Sequence, residues 1–155
     1  MSINTGRIPL QRASSIANTV IRNIGGSALV CGSIRRKVST VGDIDIVALE
    51  TPALLKKLAE LGFKIRDSVA SHTINDISVS VYFADRTNWG SMIMHFTGSK
   101  EFNIMMRRLA LKKGLTLNQY GLFKGSVRVA SKTENEIFDA IAMRHVKPIE
   151  RSKTF

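Results

Sequence analysis

Three observations predict an α+β fold. Apolar residues recur at helical spacing from Leu10 to Ile24 and again from Phe102 to Ala110. Strand-like alternation runs from Asp43 to Leu49 and from Ile77 to Phe83. The two kinds of segment mix without strict strand-helix-strand alternation, which argues against a purely parallel α/β protein. The expectation is a mixed β-sheet with an N-terminal helix over residues 1–98, followed by a small C-terminal α/β lobe over 99–155.

Pro9 suits a first helical turn. Leu10, Ala13, Ile16, Ala17, Val20, Ile21 and Ile24 then form one apolar stripe, which Gly25-Gly26 stops. Ser27 to Cys31 reads as a short buried strand entering a Gly32-Ser33 turn. In the strand from Asp43 to Leu49, Asp43 and Asp45 share one face while Ile44, Ile46 and Ala48 take the other. Pro52 opens a helix to about Leu61, and a strand is expected near Phe63 to Asp67. Ile77, Val79, Val81 and Phe83 alternate inward, with Ser78, Ser80 and Tyr82 facing outward. A short helix follows from Trp89 to Phe96. Thr97-Gly98-Ser99 marks a break, and Ser99 caps a helix to about Lys113 that buries Phe102, Met105, Met106, Leu109 and Ala110. Thr116 to Phe123 and Val127 to Ala130 read as strands. Thr133 and Glu136 form a capping-box pattern that starts a last helix through Ala142.

The 155 residues are 44% hydrophobic, enough for a real core. No secretory signal and no apolar run of the ~18 residues a membrane span needs can be read, so no membrane partner and a cytoplasmic location are expected (host cytoplasm or nucleoid for a viral protein). Cys31 is the one cysteine, which excludes disulfides and cysteine-based zinc sites within the chain. Lys and Arg number 23 against 12 Asp and Glu, a net charge of +11. That excess clusters in Arg35-Arg36-Lys37, Arg107-Arg108 and Lys112-Lys113 and favours a nucleic-acid partner through phosphate contacts.

The chemistry concentrates between residues 31 and 47. Asp43 and Asp45 project side by side from one strand face, where they can bridge metal ions. Gly32 admits a phosphate close to the backbone, and the Ser33 hydroxyl with the following N–H groups donates to it. Arg36 can fork onto triphosphate oxygens, and Gly42 leaves room beside them. Each piece alone is common: an Asp-x-Asp pair is usually solvated acid, Gly-Ser a plain turn, and an Arg pair a solvated face. Gly-Ser-x-Arg-Arg with Asp-x-Asp ten residues after the serine is a far more specific combination, and it points to nucleotidyl transfer.

With these residues in view the chain resembles the X-family DNA polymerases. The likeness continues through His95-Phe96-Thr97-Gly98-Ser99, Phe102-Asn103, Arg107, Lys113 to Tyr120, Glu136 to Asp139 and Pro148 to Arg151, so it spans roughly residues 25 to 151. His95-Phe96 and Asn118 to Phe123 are most similar to the reduced viral members, which have a palm and a C-terminal lobe alone. The resemblance implies a nucleotidyltransferase-type palm and two Mg2+ ions on Asp43 and Asp45, with Mn2+ an acceptable substitute. It makes Gly32, Ser33, Arg36, Gly42, His95, Phe96, Gly98 and Asn103 nucleotide contacts. Phe96 to Gly98 would pack under the incoming sugar, Asn103 would touch the base, and His95 would stack on or bond to the nucleotide; a solvated helix-end histidine is the equal alternative. Arg107 would reach the template, with Arg108, Lys112 and Lys113 as further DNA contacts. The implied partners are dNTP and DNA, as primer-template or gapped duplex, bound by a monomer that fills gaps. No deoxyribose-phosphate lyase is expected, because too few residues precede the palm. The basic surface would substitute for DNA clamps.

One position departs from the family pattern. Its third catalytic aspartate stands sixteen residues before the Phe of Phe-Thr-Gly, which here is Ser80. A hydroxyl cannot replace that charge, and loss of a general base costs ~10²–10⁴-fold, so impaired catalysis is expected. Asp76 lies four residues off, ~13 Å along a strand, and Asp85 has the wrong parity. Ser80 fits either a substituted aspartate or a slow, specialised member. The rival readings are transfer of a nucleotide to a small molecule, protein or RNA end, and a non-catalytic DNA- or nucleotide-binding module.

Overall fold

The computed structural model describes residues 6–152. The chain begins with β1 (Ile8–Pro9), α1 (Leu10–Ile24), β2 (Ala28–Val30), a one-turn helix α2 (Gly32–Arg35), β3 (Thr40–Val41) and β4 (Asp43–Leu49). It continues through α3 (Pro52–Glu60), β5 (Lys64–Arg66), β6 (Val69–Ile74), β7 (Ile77–Ala84) and α4 (Trp89–Thr97). Then come α5 (Lys100–Lys112), β8 (Thr116–Asn118), β9 (Gly121–Lys124), β10 (Val127–Ala130), α6 (Glu134–Ala140) and a closing 3-10 turn, Pro148–Ser152. The fold is α+β, as the mixed periodicities predict.

The main sheet has the order β2-β4-β7-β6-β5, with β4 and β7 parallel and the other pairs antiparallel. Its alternation gives it two unlike faces. Ile44, Ile46, Ala48, Val79, Val81 and Phe83 turn to one side, where α1 and α3 bury Ala13, Ala17, Val20, Leu54 and Leu58 against them. Thr51 caps α3 by accepting from the Leu54 N–H at 3.1 Å. The other face is covered only at one end, where Met92 and Ile93 of α4 join Val47, Ala84 and Cys31. The remainder of that face is open and carries the acids. A separate apolar cluster holds the C-terminal portion together around Phe102, Met106, Leu122, Ile137 and Phe138.

Several elements differ from expectation. β6 has no counterpart in the sequence reading, because Val69–Ile74 mixes Ser71, His72 and Thr73 with few apolar residues; pairing with β5 and β7 on both sides makes it a strand. Thr116 to Phe123 is two strands, β8 and β9, joined where Asn118 Oδ1 accepts from the Tyr120 N–H at 2.8 Å. The last helix stops at Ala140, and Ala142 has φ 55°, outside helical space. Pro9 caps α1 and pairs with Thr40, so it stands just before the first turn. Met1 to Thr5 and Lys153 to Phe155, assigned to the two outer spans by sequence, lie outside the described residues.

Candidate active site

Strand β4 delivers both acids to the open face. Asp43 is exposed at its first position, and Asp45 is more sheltered. Burial first, and then the Asp43 charge, push the Asp45 carboxyl up to about 6; a hydrogen bond from Tyr82 and the nearby Arg36 pull the other way. Tyr82 donates its hydroxyl to Asp45 Oδ1 at 3.4 Å, a long contact. The turn after β2 reaches the same spot. Gly32 has φ 57°, and a Cβ there would stand 2.8 Å from Asp45 Oδ2, so both backbone shape and space require glycine. The N–H groups of Ser33 and Ile34 lie in the first turn of α2, where no intrahelical carbonyl precedes them.

Ser80 sits on β7 directly beside Asp45 in the parallel register, and Ser71 flanks it on β6. The predicted parity is therefore the observed one. Asp76 falls in the β6–β7 turn with φ 64°, off the strand face. Asp85 accepts from the N–H groups of Thr87 and Asn88 at 2.8 and 3.0 Å, which holds it in a loop of its own. Neither supplies a third carboxylate.

Arg36 departs from its expected role in this structure. Its Nη1 donates to the Thr97 carbonyl at 2.5 Å and its Nε to Ser152 Oγ at 2.7 Å, while Ser33 Oγ lies 3.5 Å from Nη2. Its fork faces protein oxygens, because α2 packs against the α4–α5 junction. Gly98 permits this: it has φ 67°, and a Cβ would meet Arg36 Nη1 at 3.2 Å. The space that Gly42 leaves is likewise taken, by Arg7, whose Nη1 lies 3.0 Å from where a Cβ would be. Arg7 is fixed by donating to Thr40 Oγ1 at 2.9 Å and to the Thr40 carbonyl at 2.6 Å. It places a cation beside Gly42, and sequence reasoning missed it; its one signal was its place just before Ile8-Pro9.

Tyr82 was also missed, although its parity matched that of Ser78 and Ser80. Its ring stacks on Phe96 at 3.7 Å and 15°, and Phe96 meets His95 edge-on at 4.8 Å. This aromatic wall separates the acids from a small pocket lined by His95, Asn103, Arg107, Asn118 and Leu117. Asn103 donates to the His95 carbonyl at 2.9 Å, which orients it toward the pocket floor. Burial and then the Arg107 charge hold His95 below its ordinary value, which favours the neutral ring. Arg108 and Lys112 line a different groove on α5, with Ile104 and Leu109, so the four basic residues expected on DNA divide between two faces. Lys113 caps α5.

Among the described residues no group of three or more His, Cys, Asp or Glu forms a metal cage. Two adjacent carboxylates, one of them sheltered, still suit a hard divalent cation that takes the rest of its shell from phosphate and water. The donor set fits such an ion.

An open sheet face with paired acids beside the Gly32 turn, and a small pocket past the aromatic wall, is the kind of arrangement that nucleotidyl transfer uses. Residues 92–152 match the family model for the DNA polymerase beta thumb. The chain is 38% identical over 63 residues to DNA polymerase IV of Saccharomyces cerevisiae, covering 41% of this chain and 11% of that protein. It is 26% identical to DNA polymerase lambda of Rattus norvegicus over 94% of this chain and 33% of that protein. With Repair DNA polymerase X of African swine fever virus it shares 25% identity over 85% of each. The chain thus spans about a tenth and a third of the first two relatives, and most of the third. It is similar to polymerase beta-like X-family DNA polymerases.

Proposed function

We propose that this chain is a minimal DNA polymerase that adds deoxynucleotides to a primer 3′-end, in short gaps, with catalysis weakened at Ser80. In this reading residues 1–98 are the palm and residues 99–155 the nucleotide- and template-contacting lobe. The observation that carries it is the lateral alignment of Asp45 and Ser80 beneath the Gly32-Ser33 turn. The likeness to X-family polymerases supports the same chemistry.

Asp43 and Asp45 would hold divalent ions of the Mg2+ or Mn2+ kind, which neutralise phosphate charge and lower the pKa of an attacking oxygen. The residues of the chain divide the remaining work. The Ser33 and Ile34 amides of the one-turn helix would receive a triphosphate, and the Arg7 guanidinium beside Gly42 would add a cation to it. Arg36 joins them once its bonds to Thr97 and Ser152 open. Phe96 and Tyr82 form a flat floor for the sugar, and His95, Asn103 and Arg107 surround the base end. Ser80 offers the primer hydroxyl a hydrogen bond but cannot keep its proton, which then has to leave through solvent.

The test is extension of a one-nucleotide-gapped duplex with Mg2+ and each dNTP, comparing the chain with Ser80→Asp. The expected result is a gain of ~10²–10⁴-fold in the single-turnover rate for Ser80→Asp. Equal inertness of both, with gapped DNA still bound, would instead support a non-catalytic binding module. That second reading draws on Ser80 itself.

A further inference from the structure

The side of the main sheet opposite the acids carries a cleft of its own, between α1, the segment after α3 and β6. Its volume is about 410 Å3, within the range of small-molecule sites. Strand alternation sends His72 and Ile74 to this side, while Ser71 and Thr73 of the same strand turn to the acid-bearing face. Ile16, Val20 and Phe63 supply buried apolar surface. The Phe63 and His72 rings stand 5.2 Å apart at 53°. Gly62 leaves room for the imidazole, since a Cβ there would lie 3.4 Å from Cε1 and Nε2. In a chain of net charge +11, no Lys, Arg, Asp or Glu among the described residues lines this cleft.

Its polar groups form a one-sided set. Ser15, Thr19 and Asn23 recur every four residues, so they follow one edge of α1 for ~12 Å. Ser15 donates its hydroxyl proton to the Gln11 carbonyl at 3.1 Å, and Thr19 donates its own to the Ser15 carbonyl at 3.0 Å. Toward the cleft both hydroxyls can therefore only accept. Thr19 already accepts once, from Arg22 at 3.3 Å. Asn23, and Asn75 in the β6–β7 turn, bring side-chain amides that both donate and accept. Among the described residues neither amide has a hydrogen-bond partner.

That lining selects its guest. Two aromatic rings beside an apolar surface suit a flat ring. Hydroxyls that only accept call for N–H or O–H donors on the guest. An asparagine amide can fork onto a purine ring nitrogen and the amine next to it, the pairing that marks adenine. A phosphate would find no cation in the lining to pair with. We propose that this cleft binds an uncharged adenine nucleoside, with the base against Phe63 and His72 and the asparagine amides on its polar edge. The assignment is independent of the acids on the other face and goes beyond the polymerase reading.

The experiment is calorimetric titration of the full chain with adenosine, without Mg2+ or DNA. The expected result is one site per chain, weakened about tenfold in Asn23→Ala/Asn75→Gly by loss of two hydrogen bonds. Asn75 has φ 49°, so glycine keeps the turn while removing the amide. Both positions are exposed, and circular dichroism with thermal melting confirms folding. Purine riboside, which lacks the amine, is expected to bind wild type more weakly than adenosine, and ATP no more tightly. Asn103→Ala, in the pocket beside His95, is expected to leave adenosine binding unchanged. No adenosine binding, or equal binding by the double variant, overturns the site. So does a loss that follows Asn103→Ala, which places the base in the other pocket. Equal binding of purine riboside, or tighter binding of ATP, overturns the ligand assigned to it.

Discussion

At Asp45 two demands conflict. The fold holds this carboxyl at about 6, mainly by burying it and then by setting it beside Asp43. Its ordinary value is about 4, so between those two values the folded protein binds more protons than the unfolded chain. Stability from this group is therefore full below about pH 4 and lost as pH rises through about 6. Asp45→Asn removes the charge, and it is expected to stabilise the metal-free protein by of order 1–3 kcal/mol at pH 7.5. No gain is expected at pH 4, and thermal melting at the two values checks the sign. The same variant should fail to extend primers. Both acids were legible because a two-residue spacing on an alternating strand fixes their common face. Arg7 was not, since its approach to Gly42 depends on β1 pairing with β3, two residues each, which no periodicity announces.

Ser99 ties two elements with one hydroxyl. It accepts from the Phe102 N–H at 3.2 Å, capping α5, and donates to the Arg151 carbonyl at 2.6 Å in the closing turn. Ser99→Ala removes both bonds and is expected to cost about 1–2 kcal/mol, read by urea denaturation. This cap was predictable because serine preceded an amphipathic stripe. The β6 strand was not, since its open-face residues Ser71 and Thr73 are polar and its inner face mixes Ala70 with His72. Its identity comes from neighbours, which local sequence does not contain. The Gly32-Ser33 segment was expected as a turn and is a one-turn helix, a change that sets two first-turn amides near Asp45.

Across the whole molecule, the buried link between sheet and C-terminal portion is ionic. Glu134 of α6 accepts from Arg35 of α2 at 2.5 Å and from Arg151 of the closing turn. Arg151 is 2% exposed, stacks over Phe102 and Phe138, and donates to the Val146 carbonyl at 2.8 Å. Removing one member strands buried charge, so Glu134→Ala is expected to destabilise by about 3–5 kcal/mol, with a matching fall in melting temperature. Sequence reasoning read Arg35 only as part of a basic cluster. Its actual partner lies far along the chain, and long-range ion pairs leave no periodic trace.

The bond from Arg36 to Ser152 gives the closing turn a second property. The guanidinium proposed to grip the nucleotide's phosphates rests meanwhile on a residue of that turn, more than a hundred positions along the chain. Ser152→Ala would therefore free Arg36 from one resting partner and act on the phosphate site from the end of the chain. Nucleotide affinity, measured by calorimetry without DNA or turnover, is expected to rise in that variant, and an unchanged affinity would mean that Arg36 does not leave Ser152 to reach phosphate.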